Sequence, residues 1–327
     1  MNKKRALLGI MTLSLFFITC KKDDTDNSST TTTTTTGNVI TPKEEAKIDY
    51  IDMYVGSTIT GFTWNGNIAN CEQGTLSQDL LDKTLMRIRY FRKQAGLPIG
   101  NITMEADLNA KCQRNALMIR ANNAISHTPP TSWKCYTADG ALAAQKGNIS
   151  FGTSDVENID AWMEDAGSNN AEVGHRRWIL FSNATKFGFG CTESSGTLWV
   201  INGLPSPYSL PAATPEYIAW PPKGFIPRQV VYPRWSFGVP ATSYPFQVDF
   251  TNATVSMAHS SGTTVPVNVI YRNPIENSYG GDNTISWEPT GVELNSNFDQ
   301  QYTVTVNNVM VNGSAKNYTY DVTIFNP

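Results

Sequence analysis

The chain has 327 residues, 40% of them hydrophobic and 16% charged, with a formal net charge of −3. Apolar content at this level is enough for packed cores, so the chain as a whole is not of the disordered class. Slight acidity, with no basic patch interleaved with aromatics, argues against nucleic acid as a partner.

The N-terminus reads as a targeting segment. Lys3-Lys4-Arg5 precedes an apolar run, Ala6–Thr19, that is too short for a stable transmembrane helix, and Cys20 follows directly. Residues 1–19 are expected to be a lipoprotein signal peptide and Cys20 the lipidated residue. Lys21-Lys22-Asp23-Asp24 resembles the charged tetrad that sends lipoproteins to the cell surface in one large group of Gram-negative bacteria. The expected location is therefore the outer membrane, facing outward and held by a lipid anchor. An ordinary secretory signal with an incidental cysteine is the alternative. Cleavage before Cys20 leaves 22 basic against 28 acidic residues, a net charge of −6.

Residues 20–45 contain an unbroken threonine run, Thr30–Thr36, and have little to bury, so a disordered tether is expected there. Residues 46–76, with aromatics scattered among glycines and asparagines, read as irregular edge structure. Helical spacing of Leu81, Leu85 and Ile88 predicts a helix over 80–95, stopped by Gly96 and Pro98. A second helix is expected over 104–122, with Thr103 as N-cap and Leu108, Cys112, Ala116 and Ile119 facing inward. A third starts at Ser154, where Glu157 three residues on suggests a capping box. A short helix at Gly174-His175 and strands over 186–192 and 197–202 complete an α+β layer domain over residues 46–205.

Seven prolines between Pro205 and Pro227 mark residues 206–227 as an extended linker. Beyond it, strand signals recur at 247–250, 254–258, 265–271, 284–287, 302–306 and 318–324, separated by turn residues and without a helix. Residues 228–327 are therefore expected to form an all-β, immunoglobulin-like sandwich.

With Cys20 lipidated, four cysteines remain: Cys71, Cys112, Cys135 and Cys191. An even count outside the cytoplasm favours disulfides, with three connectivities. A helix packed on a sheet would bring Cys112 to Cys191 and leave Cys71 to pair with Cys135. Four free thiols are the alternative.

No Gly-x-Ser-x-Gly, His-Glu-x-x-His, Walker or dinucleotide motif is present. What remains is a constellation of His127, Asp165 and His175. In order along the chain, Ser126-His127, Lys146-Gly147-Asn148-Ile149, Ala161-Trp162-Met163-Glu164-Asp165 and Gly174-His175-Arg176-Arg177-Trp178-Ile179-Leu180 resemble the signature elements of the CAP superfamily (cysteine-rich secretory, antigen 5 and pathogenesis-related-1 proteins), as does Phe187-Gly188-Phe189-Gly190. The resemblance covers roughly residues 70–205 and implies an α-β-α sandwich with a cleft around His127, Trp162, Asp165, His175, Arg176 and Arg177. It departs from the family at Gly147, where the first cavity glutamate would stand, and at Asp165, one methylene shorter than glutamate.

The resemblance implies that the cleft binds a small molecule, a lipid, a glycan or a cell-wall fragment. It also implies a weak divalent metal such as Zn²⁺ on His127 and His175, with Asp165 as third ligand or as an acceptor behind them. A metal-dependent hydrolase of peptide or peptidoglycan, and a structural protein with a vestigial cleft, are the competing readings. Loss of the glutamate at Gly147 weighs against the hydrolase. Arg176 and Arg177 either bracket an anionic ligand or pair with Asp165 or Glu172. Glu157 is assigned to the capping box, Glu164 to solvent, and His259 to structure.

Overall fold

The computed structural model describes residues 40–275 and 281–327, so the signal segment, Cys20 and most of the expected tether lie outside the described residues. Among the described residues no helix is long and apolar enough to cross a membrane. In chain order the first half comprises α1 (Pro42–Asp49), a π-helical turn (Tyr50–Val55), α2 (Gln78–Gln94), β1 (Thr103–Met104), α3 (Ala106–Asn122), α4 (Ala138–Lys146), β2 (Gly147–Phe151), α5 (Glu157–Glu164), α6 (Gly174–Ile179), β3 (Lys186–Thr192) and β4 (Ser195–Trp199). The second half comprises β5 (Ile218–Trp220), β6 (Gly224–Pro227), β7 (Trp235–Gly238), β8 (Val248–Asp249), β9 (Thr254–His259), β10 (Thr264–Val265), β11 (Val267–Arg272), β12 (Thr284–Pro289), β13 (Gln300–Val311) and β14 (Ser314–Phe325). The class is α+β.

Two expectations about the N-terminal region need correction. The tether ends sooner than residue 45: Thr41 and Glu44 form a reciprocal capping box and Pro42 sits at the first helical position, so α1 begins there. The segment after it is a helical turn whose Tyr54 packs edge-on against Phe91 of α2.

The first sheet has the order β1-β3-β4-β2, with β1 parallel to β3 and the other pairs antiparallel. Helices cover both faces. On one face α3 comes very close, because a Cβ on Gly188 would lie 2.3 Å from Leu108 Cβ and one on Gly190 2.2 Å from the Gln113 nitrogen. On the other face, Phe187, Phe189 and Cys191 join the apolar core with Ile159, Trp162 and Met163 of α5. A Cβ on Gly196 would there meet the Asn158 side chain of α5. The open edge of β3 is capped by α3: Asn109 accepts from Phe189 N–H, and Gln113 both accepts from and donates to the Cys191 backbone.

This layering decides the disulfides. Cys71 and Cys135 are bonded, while Cys112 and Cys191 are free and buried. Alternation along β3 puts Cys191 on the α5 face, whereas Cys112 lies on the α3 face and donates to the Gly188 carbonyl. The sheet stands between the two thiols. Burial raises both, Cys112 to about 12, which keeps them protonated.

The second half is a two-sheet β-sandwich. One sheet runs β10-β9-β13-β14-β6, with β8 also on β13, and the other runs β11-β12-β7-β5. Their inner faces meet through Trp235 against Tyr302, Phe237 against Tyr318, and the Trp287 indole N–H on the Met257 sulfur. The expected linker is a correction: β5 and β6 both fall within residues 206–227 and form edge strands of the two sheets. Edges are where proline costs no ladder hydrogen bond. Trp220 of β5 is fully buried and packs 5.2 Å from Phe91, so the apolar core runs unbroken from the helical layers into the sandwich. Residues Ile40–Pro327 make up one compact unit.

Candidate functional site

His127 lies in the loop after α3, whose helix ends in a left-handed Asn123. His175 is the second residue of α6, entered through Val173 at φ 48°. A β-branched residue in the left-handed region is a true outlier, costing on the order of 1–3 kcal/mol. Asp165 closes α5 in the same left-handed conformation, φ 55°. Residues 165–173 therefore form a loop with an uncommon backbone at each end, and it turns the Asp165 carboxylate back onto α6.

The geometry there is specific. Asp165 Oδ1 receives His175 Nδ1–H at 2.7 Å, and Oδ2 receives the backbone N–H of His175 at 2.9 Å and of Arg176 at 3.3 Å. The carboxylate side chain is fully buried, while His175 keeps 24% of its ring exposed. His127 is held similarly, its Nδ1 lying 2.6 Å from the Ala144 carbonyl. Carboxylate and carbonyl oxygens only accept, so both rings carry a proton on Nδ1, and in the neutral ring the lone pair is on Nε2. Asn148 donates to the His175 carbonyl at 3.0 Å, and the Trp162 indole N–H reaches the Ile149 carbonyl at 3.4 Å.

Two cavities meet at the histidine pair. The larger, about 510 Å³, is lined by both histidines together with Ile125, Phe151, Trp162, Glu164, Asp165, Asn169 and Asn170. The smaller, about 140 Å³, again has both histidines and Asn170, with Glu172 and Trp178. Ile125 and Phe151 leave large apolar surface exposed at the mouth. Among the described residues no lysine or arginine lines either cavity.

Four expected site residues, His127, Trp162, Asp165 and His175, come together here. Arg176 and Arg177 do not, and their placement is a correction. Both are buried on the side of α6 that faces the sandwich. Arg176 donates to the carbonyls of Met163, Glu164 and Arg234 and to the Ser236 hydroxyl. Arg177 donates to the Asp282 carbonyl and to Asn273. Neither guanidinium forms an ion pair with Asp165 or Glu172 among the described residues. Burial lowers both guanidinium pKa values, Arg176 to about 10.

Glu164, assigned to solvent, instead lines the larger cavity. The capping box is also absent: α5 begins at Glu157, whose N–H is accepted by Asp155, and Ser154 bonds to Asp155 as well. Sequence reasoning missed Asn170 and considered Glu172 only as an arginine partner; nearness to His175 was the signal for both. His259 hydrogen-bonds Ser261 and lies against Tyr302, away from the cleft.

Gly147 admits no side chain, since a Cβ there would lie 2.8 Å from the carbonyls of both Ala143 and Leu198. No carboxylate can enter the cleft from that position. Residues 85–202 match the model of the CAP family, the cysteine-rich secretory protein family. This segment belongs to the CAP family. Its four-stranded sheet between helical layers and its paired histidines occupy the matched region. No curated protein matches the chain.

As a metal site the CAP cleft offers two imidazole nitrogens. Both oxygens of Asp165 are already engaged by N–H groups, and no three His, Cys, Asp or Glu side chains among the described residues are grouped to hold an ion. Asp165 thus orients His175 rather than acting as a third ligand, which leaves two imidazoles as the donors on offer.

Proposed function

We propose that the CAP cleft binds a small, uncharged ligand with both apolar and hydrogen-bonding parts, such as a glycan or cell-wall fragment. The observation that carries this reading is the histidine pair. Two rings 48 residues apart in sequence line the same two cavities, each with Nδ1 tied back so that the neutral ring offers Nε2 as an acceptor. Phe151, Ile125 and Trp162 supply apolar surface, Asn169 and Asn170 supply amides, and the lack of basic residues disfavours anions. His127 and His175 would hold a divalent ion such as Zn²⁺, which would supply positive charge for an oxygen of the ligand.

The protein would act outside the cell, anchored to the outer membrane through Cys20. Native mass spectrometry with elemental analysis, on protein purified without chelator, tests the binding. Wild type and His259→Ala should carry a bound mass or metal that the His127→Ala/His175→Ala double variant lacks. Identical spectra for wild type and double variant would leave a vestigial cleft in a structural protein. Replacing Cys20 with alanine should release the protein from membranes, and unchanged association would remove the anchor from this account.

Glu164 and Glu172 favour a second reading, metal-assisted hydrolysis of peptide or peptidoglycan, because each offers a carboxylate at a cavity wall. Release of soluble fragments from purified peptidoglycan, lost in Glu164→Gln or Glu172→Gln, would establish it.

A further inference from the structure

The loop that carries Asp165 to His175 is held from outside the CAP segment. Arg234, just before β7 in the sandwich, donates from Nη1 to the carbonyls of Asp165 at 2.8 Å, Gly167 at 3.2 Å and Asn170 at 2.8 Å. Its other donors, Nε and Nη2, rest on Glu288 of β12 at 3.3 and 2.9 Å. Ser286, also on β12, donates to the Ala171 carbonyl. Four carbonyls of a seven-residue stretch are thus satisfied by sandwich side chains. Arg234 keeps only a tenth of its side chain exposed, so these bonds are shielded from competition by water.

This stretch needs such a hold. It is entered at φ 55° by Asp165, passes Gly167 at φ 99°, and is left at φ 48° by Val173. Within α5 and α6 the ends of the stretch are tied by Asp165 on the His175 and Arg176 N–H groups and by Arg176 on the Met163 and Glu164 carbonyls. Side chains of the sandwich hold carbonyls along its length, and unconstrained it would relax from that conformation. The arginine that follows His175 completes the clamp in the other direction, since Arg176 donates to the Arg234 carbonyl and to Ser236.

We infer that Arg234 is a positioning residue for the cleft. By fixing the 165–170 backbone it aims the Asp165 carboxylate at His175 Nδ1 and so selects, in the neutral ring, the tautomer protonated on Nδ1. The β-sandwich is on this account part of the CAP site rather than an appended module. His127 lies outside the clamp, because its own anchor is the Ala144 carbonyl at the end of α4.

The inference rests on the His127/His175 cleft being the functional site, and its test reads the rings directly, so it stands or falls whether or not a ligand is found. In full-length protein labelled with ¹⁵N-histidine, wild-type His175 should show a protonated Nδ1 and a bare Nε2. In Arg234→Ala the His175 signals should move toward a mixture of the two ring forms while those of His127 stay unchanged. Amide exchange over residues 166–171 should also quicken by roughly tenfold or more. Arg234→Gln keeps the aliphatic stem and one amide group and should shift the same signals less; it decides the matter if Arg234→Ala does not fold. A folded Arg234→Ala, or failing that a folded Arg234→Gln, with wild-type His175 signals and wild-type exchange over 166–171 would overturn the inference. Equal changes at His127 and His175 would also overturn it, because a general loosening of the fold does not choose between them.

Discussion

Asp165→Asn separates charge from shape at the centre of the site. The carboxylate accepts three N–H groups, from His175 Nδ1 and from the backbone of His175 and Arg176. An amide of the same size has one acceptor oxygen. If that oxygen keeps the two backbone donors, the NH₂ group faces His175 Nδ1, which must then become an acceptor and move its proton to Nε2. The opposite rotamer sets the NH₂ against two buried backbone N–H groups and is worse. Hydrogen bonds to a charged group contribute about 1.5–3 kcal/mol and neutral ones about 1. Weakening two and inverting one should cost roughly 2 kcal/mol of stability, measured by urea unfolding. Loss of an orienting carboxylate behind a histidine ligand typically costs 10–100-fold in metal affinity, about 1.4–2.8 kcal/mol. Zinc calorimetry on wild type and variant should show at least that drop, since Nε2 would present a proton to the ion. An Asp165→Asn isotherm matching wild type, in protein that remains folded, would refute both the assigned ring form and the role given to Asp165.

Asp282 is buried behind Ser182, and desolvation lifts its carboxyl from 3.8 to about 6 even though Ser182, Arg177 and Arg92 pull the other way. A carboxyl raised in the folded state favours folding at low pH, and that contribution is lost as pH climbs from about 3.8 to about 6. Wild type should therefore lose about 3 kcal/mol relative to Asp282→Asn across that window, as followed by urea unfolding at several pH values; a constant gap would contradict the raised value. Gly190→Ala should destabilise by about 3 kcal/mol in thermal unfolding, because its Cβ would strike the α3 backbone. Removing the Cys71–Cys135 bond, which spans 64 residues, should cost about 4 kcal/mol by loop entropy in urea unfolding of the double serine variant. A chain truncated after residue 205 should fail to unfold cooperatively in calorimetry, since it exposes Phe91 and leaves Arg176 and Arg177 without their partners in the sandwich.

Local chemistry was legible in the sequence where the signal was itself local. The 80–95 and 104–122 helices, the Gly-spaced strand at 186–192 and the turn-punctuated strands after residue 247 follow from side-chain period and turn residues, and the structure has elements at each place. The motif order around His127, Trp162, Asp165 and His175 was enough to place four residues in one cleft. Alternation in β3 even contained the fate of the cysteines, because Cys191 lies one step out of phase with the glycines that admit α3. Only the assembled layers showed which face each side occupied. Arg176 and Arg177 illustrate the remainder. A basic pair beside a histidine reads as an anion site, yet α6 turns both inward onto carbonyls, among them those of Arg234 and Asp282, 58 and 105 positions later in the chain. The prolines at 205–227 likewise mark breaks in ordinary helix and central strand but say nothing of edge strands, where a missing N–H faces no partner. Hydrogen bonds between residues distant in sequence leave no period or spacing to read. The clamp on the His175 loop is made entirely of such bonds, so it exists only in the tertiary structure.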